Sequence, residues 1–280
     1  EVHMTSIIKM RGAVLATPVL TLNDIPFSRQ KCINWLGADS VTISEYGVES
    51  INDYQNGQVY PSIDTAARTR VCKQDTENGI NVLTFSPENF AVNTINAYRV
   101  LNPQQFNAKD ALSFAMLIKA EASDYTSGYR AIFHIGMNNN AGSNVPMIRL
   151  QFTSDTAFGI VARHSSPEET AEQIGINGLN TGYNVLFVEL DYINRRIRTK
   201  LNDAPIVTRT AFPGSSGQNV VAASAVVGLA GYLSASGQAG RTTMFSGKVR
   251  EMSIFSGPLS DAEITSVTDW FLSKADILNS

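Results

Sequence analysis

Apolar and polar positions alternate over short stretches along most of this chain, and clusters of Gly, Asn, Asp, Ser and Pro separate those stretches. The pattern predicts strands at Val82–Phe85, Ala111–Ala120, Tyr129–Gly136, Met147–Phe152, Phe158–Arg163, Tyr183–Asp191, Arg196–Leu201, Val226–Ala230 and Lys248–Phe255. In Leu112–Lys119 one face is strongly apolar (Leu112, Phe114, Met116, Ile118) and the other is mixed (Ser113, Ala115, Leu117, Lys119). In Arg196–Leu201 the period of two places Ile197, Thr199 and Leu201 inward and Arg196, Arg198 and Lys200 outward. In Lys248–Phe255 it sets Val249, Glu251, Ser253 and Phe255 against Lys248, Arg250, Met252 and Ile254. Helical signals concentrate at the end of the chain. Gly257-Pro258 breaks the last strand, Ser260 is an N-cap with Glu263 at the reciprocal position, and Ile264, Val267 and Phe271 form one apolar stripe over residues 261–275. Gln104–Asp110 reads as a single turn, and the glycine-rich Gly228–Gly240 segment as a flexible loop. Many short strands at this spacing, with no repeat of 20–50 residues, indicate an all-β sandwich and exclude a propeller or solenoid.

The length admits one large β domain or two small ones, and the composition suits a folded protein with a sizeable core. Of 280 residues, 43% are hydrophobic and 17% charged, with a net charge of −3. That balance gives no nucleic-acid footprint, and no apolar run reaches the roughly 18 residues of a membrane span, so no membrane insertion is expected. Two cysteines, Cys32 and Cys72, do not make a disulfide framework and are expected to be buried thiols. Glu1-Val-His resembles a vector remnant before a natural start at Met4, and no secretion signal follows, so synthesis in the cytoplasm is expected. Residues 1–30, with Pro18 and Pro26, are assigned to an N-terminal arm, and residues 31–280 to the sandwich.

Three segments carry a family resemblance. Phe245–Ile264, with its Gly-Lys-Val-Arg-Glu-Met run and Leu-Ser-Asp-Ala-Glu-Ile ending, resembles the last strand and terminal helix of the concanavalin A-like, laminin-G-like jelly rolls. Val185–Leu201 followed by Asn202-Asp203 resembles a hairpin of the same superfamily, with Asp203 where Gly is usual. Ile33–Asp39, Tyr46–Asp53 and Asn78–Phe85 resemble the opening of its bacterial and bacteriophage members, with Gly37 in place of Asp and Ile51 in place of Trp. The resemblance implies a concanavalin A-like jelly-roll sandwich of two antiparallel sheets with a short C-terminal helix. It implies a non-catalytic phage virion protein, in the tail or on the surface, that binds host cell-surface polysaccharide or glycan. It also implies contacts with other virion proteins and a homo-oligomeric state. The alternatives are a purely structural capsid or tail decoration, docked through residues 5–30, and a polysaccharide-degrading glycoside hydrolase.

Candidate chemistry is sparse. Glu189-Leu-Asp191 matches half of a Glu-x-Asp-x-x-Glu glycosidase strand, but the sixth position is Asn194, which cannot protonate a leaving group. Asp191 then reads as the cap of a turn. His3, His134 and His164 are too widely spaced for a zinc site, and no nucleophile elbow or phosphate loop occurs. No cofactor is expected. Calcium is the weak exception, because Asn138–Asn144 offers oxygen donors, with Asp124 or Asp155 as an outside carboxylate. A sugar site needs an aromatic platform and fixed polar groups. By residue type and loop position the candidates are Tyr125, Tyr129, Asn138, Asn139, Arg163 and His164, with Asp124 beside the tyrosines. The basic stripe Arg195, Arg196, Arg198 and Lys200 is read as a solvated strand face, or as a contact for an acidic polysaccharide or acidic partner.

Overall fold

The structure is a computed structural model. It describes residues 30–45, 47–61, 72–85, 98–99, 102–121, 130–138, 144–164, 172–210, 216–223, 225–233 and 239–280. The N-terminal arm assigned to residues 1–30 lies outside these, apart from Gln30. In chain order the strands are β1 (Cys32–Ser44), β2 (Gly47–Asp53), β3 (Val59–Pro61), β4 (Cys72–Glu77), β5 (Ile80–Phe85), β6 (Tyr98–Arg99), β7 (Ala111–Ala120), β8 (Arg130–Asn138) and β9 (Asn144–Ser154). They continue as β10 (Ala157–Ala162), β11 (Glu172–Asn177), β12 (Asn184–Asp191), β13 (Arg196–Leu201), β14 (Val207–Thr210), β15 (Val226–Leu229), β16 (Gly231–Leu233), β17 (Ala239–Met244) and β18 (Gly247–Ser256). Helix α1 (Asp261–Leu278) closes the chain, and Pro103–Phe106 forms a 3₁₀ turn before β7.

The strands build two sheets. A ten-stranded sheet has the order β14-β13-β12-β7-β18-β1-β2-β3, with β5 also pairing β18 and β4 pairing β5. An eight-stranded sheet has the order β11-β10-β9-β8-β15-β6, with β17 joining β16 to β8. Pairing among the described strands is antiparallel except where Met244 of β17 meets Ala131 of β8. The sheets face each other across a core of Leu112, Phe114, Met116 and Ile118 from one side and Phe133, Ile148, Leu150, Phe152 and Ile160 from the other. The fold is therefore the all-β sandwich that the alternation implies.

A third layer explains why the alternation is incomplete. Helix α1 packs on the outer face of the ten-stranded sheet, burying Ile264, Val267, Phe271, Ala275 and Leu278 against Ala115, Leu117, Val185, Phe187 and Phe255. Strand β7 is thus covered on both faces, which is why its second face also reads apolar. The expected capping box is present: Ser260 Oγ accepts from the Glu263 amide at 3.2 Å, and a Glu263 carboxylate oxygen accepts from the Ser260 amide at 2.7 Å. The helix runs to Leu278, three residues beyond the expected end.

Three expectations are corrected. The side assigned to Val249 in β18 is wrong: a bulge between Val249 and Glu251 turns Val249 into the inter-sheet core beside Met252 and Ile254. The segment expected as a Gly228–Gly240 loop instead holds, beyond the end of the expected strand at Val226–Ala230, β16 and the start of β17. The basic stripe is not a solvated face. Arg195 is exposed in a turn and Arg196 is half-buried, but Arg198 and Lys200 are 5% and 8% exposed, under α1. Cys32 and Cys72 are free and buried on opposite sides of the ten-stranded sheet, Cys32 under α1 and Cys72 in the inter-sheet core. Burial, reinforced by the Asp53 charge, pushes the Cys32 thiol up to about 12.

Candidate functional site

The two carboxylates that suggested an enzyme are both buried and hydrogen-bonded within the fold. Glu189 on β12 is fully buried and meets Arg198 of β13 in a two-pronged pair, Nε to Oε1 at 2.7 Å and Nη2 to Oε2 at 2.8 Å. Its Oε2 also accepts from the Leu259 amide at 2.9 Å and from Ser113 Oγ at 3.2 Å. Arg198 goes on to Asp261 at 2.8 Å and to the Leu259 carbonyl. The unit therefore ties β7, β12 and β13 to the N-terminus of α1. Asp191 holds the following turn as expected: it accepts from the Asn194 amide at 3.0 Å, Asn194 Nδ2 at 2.8 Å and Arg196 Nε at 2.8 Å. Lys200 donates to Thr268 of α1 at 2.9 Å, and Lys274 of α1 returns to Glu251 at 2.6 Å and 2.7 Å. The outer face of the ten-stranded sheet under α1 is thus occupied by the fold's own contacts.

Of the six residues singled out for sugar binding, Tyr125, Tyr129 and Asn139 lie outside the described residues. Asn138 ends β8, opposite Asn144. Arg163 and His164 follow β10 at the same end of the eight-stranded sheet, with the Arg163 amide donating to the Met147 carbonyl at 2.8 Å. Arg163 is half-buried. His164 is packed rather than presented, at 6% exposure: its Nε2 lies 3.0 Å from the Gly217 carbonyl oxygen, and its ring meets Tyr192 edge-on at 6.1 Å. Asp155 turns the chain between β9 and β10, at the far end of β9 from the Asn138–Asn144 hairpin. The eleven residue steps from Asn144 place it about 35 Å away, too far to complete a calcium loop there. Asp124 is outside the described residues, and no cluster of three metal-ligating side chains occurs among those described.

The polar face that the sequence reading missed is the outward side of the eight-stranded sheet. Phe133 and Ile135, Leu150 and Phe152, Phe158 and Ile160, Ile174, and Val227 and Leu229 all point into the core, so the alternate residues point out. One outward row runs Gly228, His134, Arg149, Val161, Gln173 across β15, β8, β9, β10 and β11; the next runs Ala131, Gln151, Gly159, Gly175. Gln173 and Gly175 are exposed, Arg149 is half-buried, and His134 and Gln151 are buried. The side chain of Gln151 lies across Gly159, where an added Cβ would stand 3.3 Å from its Nε2 and 3.1 Å from Thr153 Cγ2. Gln151 Oε1 accepts no hydrogen bond from the described residues. A Cβ added at Gly175 would meet nothing within 4 Å. Strands β8, β9, β10 and β15 contain no Asp or Glu, and Glu172 of β11 shares the inward parity of Ile174.

His134 sets the charge of this face. Complete burial, reinforced by the positive charge of Arg149, pushes its ring down to about 3, so it is neutral at ordinary pH. An unfolded histidine titrates near about 6.5. Below that pH the unfolded chain takes up a proton that the folded chain refuses, and above it the residue contributes no pH dependence. From about pH 6 to pH 4 the unfolding free energy should therefore fall with a component of about 1.4 kcal/mol per pH unit, absent from His134→Gln. Urea unfolding at several pH values reads the two slopes; equal slopes would contradict the neutral, buried ring.

Comparison with known proteins locates the fold. No known family model matches the chain, and no curated protein matches it in sequence. Among solved structures, a Trypanosoma rangeli sialidase in complex with 2,3-difluoro-KDN is similar at TM-score 0.53 and 12% identity, over 90% of this chain and 34% of that one. The binding domain of botulinum neurotoxin serotype D is similar at TM-score 0.52 and 12% identity, over 86% and 51%. The CBM40 domain of a Ruminococcus gnavus sialidase, bound to α2,3-sialyllactose, aligns at TM-score 0.45 and 18% identity, over 57% and 83%. At these identities the likeness is one of β-sandwich fold.

Proposed function

We propose that this protein is a non-catalytic, glycan-binding β-sandwich of bacteriophage-virion type, with its ligand lying across the outward face of the eight-stranded sheet. The observation that carries the reading is that face: half-buried Arg149 and exposed Gln173 in one row, beside exposed Gly175 in the next, where an added Cβ would meet nothing within 4 Å. Sugar recognition needs fixed donors and acceptors on a rigid scaffold, and strands supply that rigidity. The solved CBM40 domain carries a bound sialyllactose. The non-catalytic part is supported by Glu189, which is sealed from solvent and committed to Arg198, Ser113 and Leu259. The virion part rests on the resemblance of Ile33–Asp39, Tyr46–Asp53 and Asn78–Phe85 to bacterial and bacteriophage proteins; antiserum against the protein should label intact particles.

The test is Gly175→Trp. Because the position is exposed and its Cβ direction is open, the variant is expected to fold and melt like the parent while its indole covers the outward residues around it. Binding to immobilised bacterial surface polysaccharide should then fall by about tenfold or more, with no release of reducing ends by either protein. Unchanged binding by the folded variant would remove the ligand from this face.

A further inference from the structure

We infer that Asn78-Gly79 is a chemical modification site: loss of ammonia from Asn78 converts a side chain that clamps the end of α1 into one that repels it. Glu77 pairs with Ile80, so Asn78 and Gly79 are the two turn residues of the β4–β5 hairpin, with φ of 49° and 79°. Both are exposed. Across the fold, Asn78 Nδ2 donates to the Ile277 carbonyl at 3.0 Å and to the Leu278 carbonyl at 3.4 Å. These carbonyls lie at the C-terminal, negative end of the α1 dipole. The last turn carries Asp276 and no basic side chain. The Asn78 amide thus supplies, from a distant hairpin, a donor of the kind that a lysine or arginine gives a helix end. Beside it, Glu77 already brings a carboxylate, which accepts from the Tyr183 hydroxyl at 2.7 Å and pairs with Lys248.

The chemistry needs only water and hydroxide. The Gly79 backbone nitrogen, once hydroxide has taken its proton, attacks Asn78 Cγ. Glycine has no side chain to hinder that attack, and a Cβ there would meet nothing within 4 Å. The Cγ–Nδ2 bond breaks, Nδ2 leaves as ammonia with a proton from water, and a cyclic imide remains. Water then adds to one of the two imide carbonyls, and the ring opens to aspartate or isoaspartate. Nothing is oxidised or reduced, and the chain gains one negative charge. Either product replaces an amide donor with a carboxylate that only accepts. At the negative end of α1, beside Glu77, that charge is opposed and the clamp on the last turn is lost. Leu278, which that turn packs into the layer between α1 and the sheet, is then held less tightly. Asn56-Gly57 and Asn177-Gly178 carry the same local chemistry. Asn56 Nδ2 bonds to the Ile33 carbonyl of β1, and Asn177 is exposed at the end of β11, so neither holds a helix end.

The experiment ages the full chain at alkaline pH until Asn177, the comparator, has converted, and maps the mass gain of deamidation peptide by peptide. Hydrogen exchange over residues 274–280 is then followed in fresh and aged protein and in Asn78→Asp, Asn78→Gly and Asn177→Asp. Glycine keeps the positive φ and removes the donor without adding charge. The expected result is conversion at Asn78, with exchange over 274–280 faster by about tenfold in Asn78→Asp and in the converted fraction of the aged protein. The rise should be smaller in Asn78→Gly and absent in Asn177→Asp. An intact Asn78 after Asn177 has fully converted would overturn the modification site. Conversion that leaves exchange over 274–280 unchanged would overturn the clamp, and equal effects of the two Asn78 variants would overturn the repulsion.

Discussion

Arg198→Met should destabilise the protein by about 3–5 kcal/mol, because it strands the Glu189 carboxylate in a site closed to water. Glu189 is fully buried between β7, β13 and the start of α1, and its four hydrogen bonds come from Arg198, Ser113 and the Leu259 amide. Removing the guanidinium leaves a formal charge with two weaker partners. The paired change Glu189→Leu with Arg198→Met removes both charges and keeps similar volumes, so it should recover most of that loss. It will not recover all of it, since the Leu259 amide and carbonyl lose their partners. Urea unfolding of the two single variants and the double variant closes the cycle. A neutral Arg198→Met would mean that water reaches Glu189, and a carboxylate reached by water beneath α1 would reopen the glycosidase alternative. The same geometry warns against reading Glu189→Gln as a catalytic test: lost hydrolysis there would have to be separated from lost folding.

What the sequence made legible, and what it hid, follows one physical division. Features determined by a few neighbouring residues were readable: the Ser260–Glu263 cap, the Ala111–Ala120 and Arg196–Leu201 strands, and the turn held by Asp191. Asn202-Asp203 was flagged as lacking the usual Gly, and the structure shows why that is tolerated: the positive φ, 49°, falls on Asn202, whose side chain accepts from the Val185 amide at 2.8 Å. Gly37 was flagged as replacing Asp; a Cβ there would lie 2.9 Å from the ring of Tyr54. Features set by layers distant in sequence were not readable. Arg198 and Lys200 alternate as an outward face should, and only α1, some sixty residues later, turns that face into an interior. The Val249–Glu251 bulge leaves no signature in an alternating pattern. The outward rows of β8 to β11 combine one residue from each of several strands, so Arg149, Gln151 and Gln173 meet only once the register is known. The loop residues chosen by type were drawn from connections, whereas this candidate face is built on strands.

Gly247→Ala is the second large effect, and it converts a motif resemblance into a steric statement. Gly247 opens β18 at φ 143°, a backbone conformation that an L side chain adopts only with strain. A Cβ there would stand 2.2 Å from the Lys119 carbonyl oxygen, 2.8 Å from Phe245 Cζ and 3.2 Å from Ala120 Cα. The first of these is backbone in the neighbouring strand β7, where Gly247 pairs with Ala120, so it cannot swing aside as a flexible side chain would. Relief would require β18 to pull away from β7 at the centre of the ten-stranded sheet. The expected loss is about 3 kcal/mol or more. Gly257→Ala supplies the control: its φ is also positive, 84°, but a Cβ would meet nothing within 4 Å. That variant should lose only the backbone strain, about 1–2 kcal/mol. Unfolding midpoints of the two proteins separate the contributions. If Gly247→Ala loses no more than Gly257→Ala, then the approach of the Lys119 carbonyl is not what requires glycine at the start of the last strand.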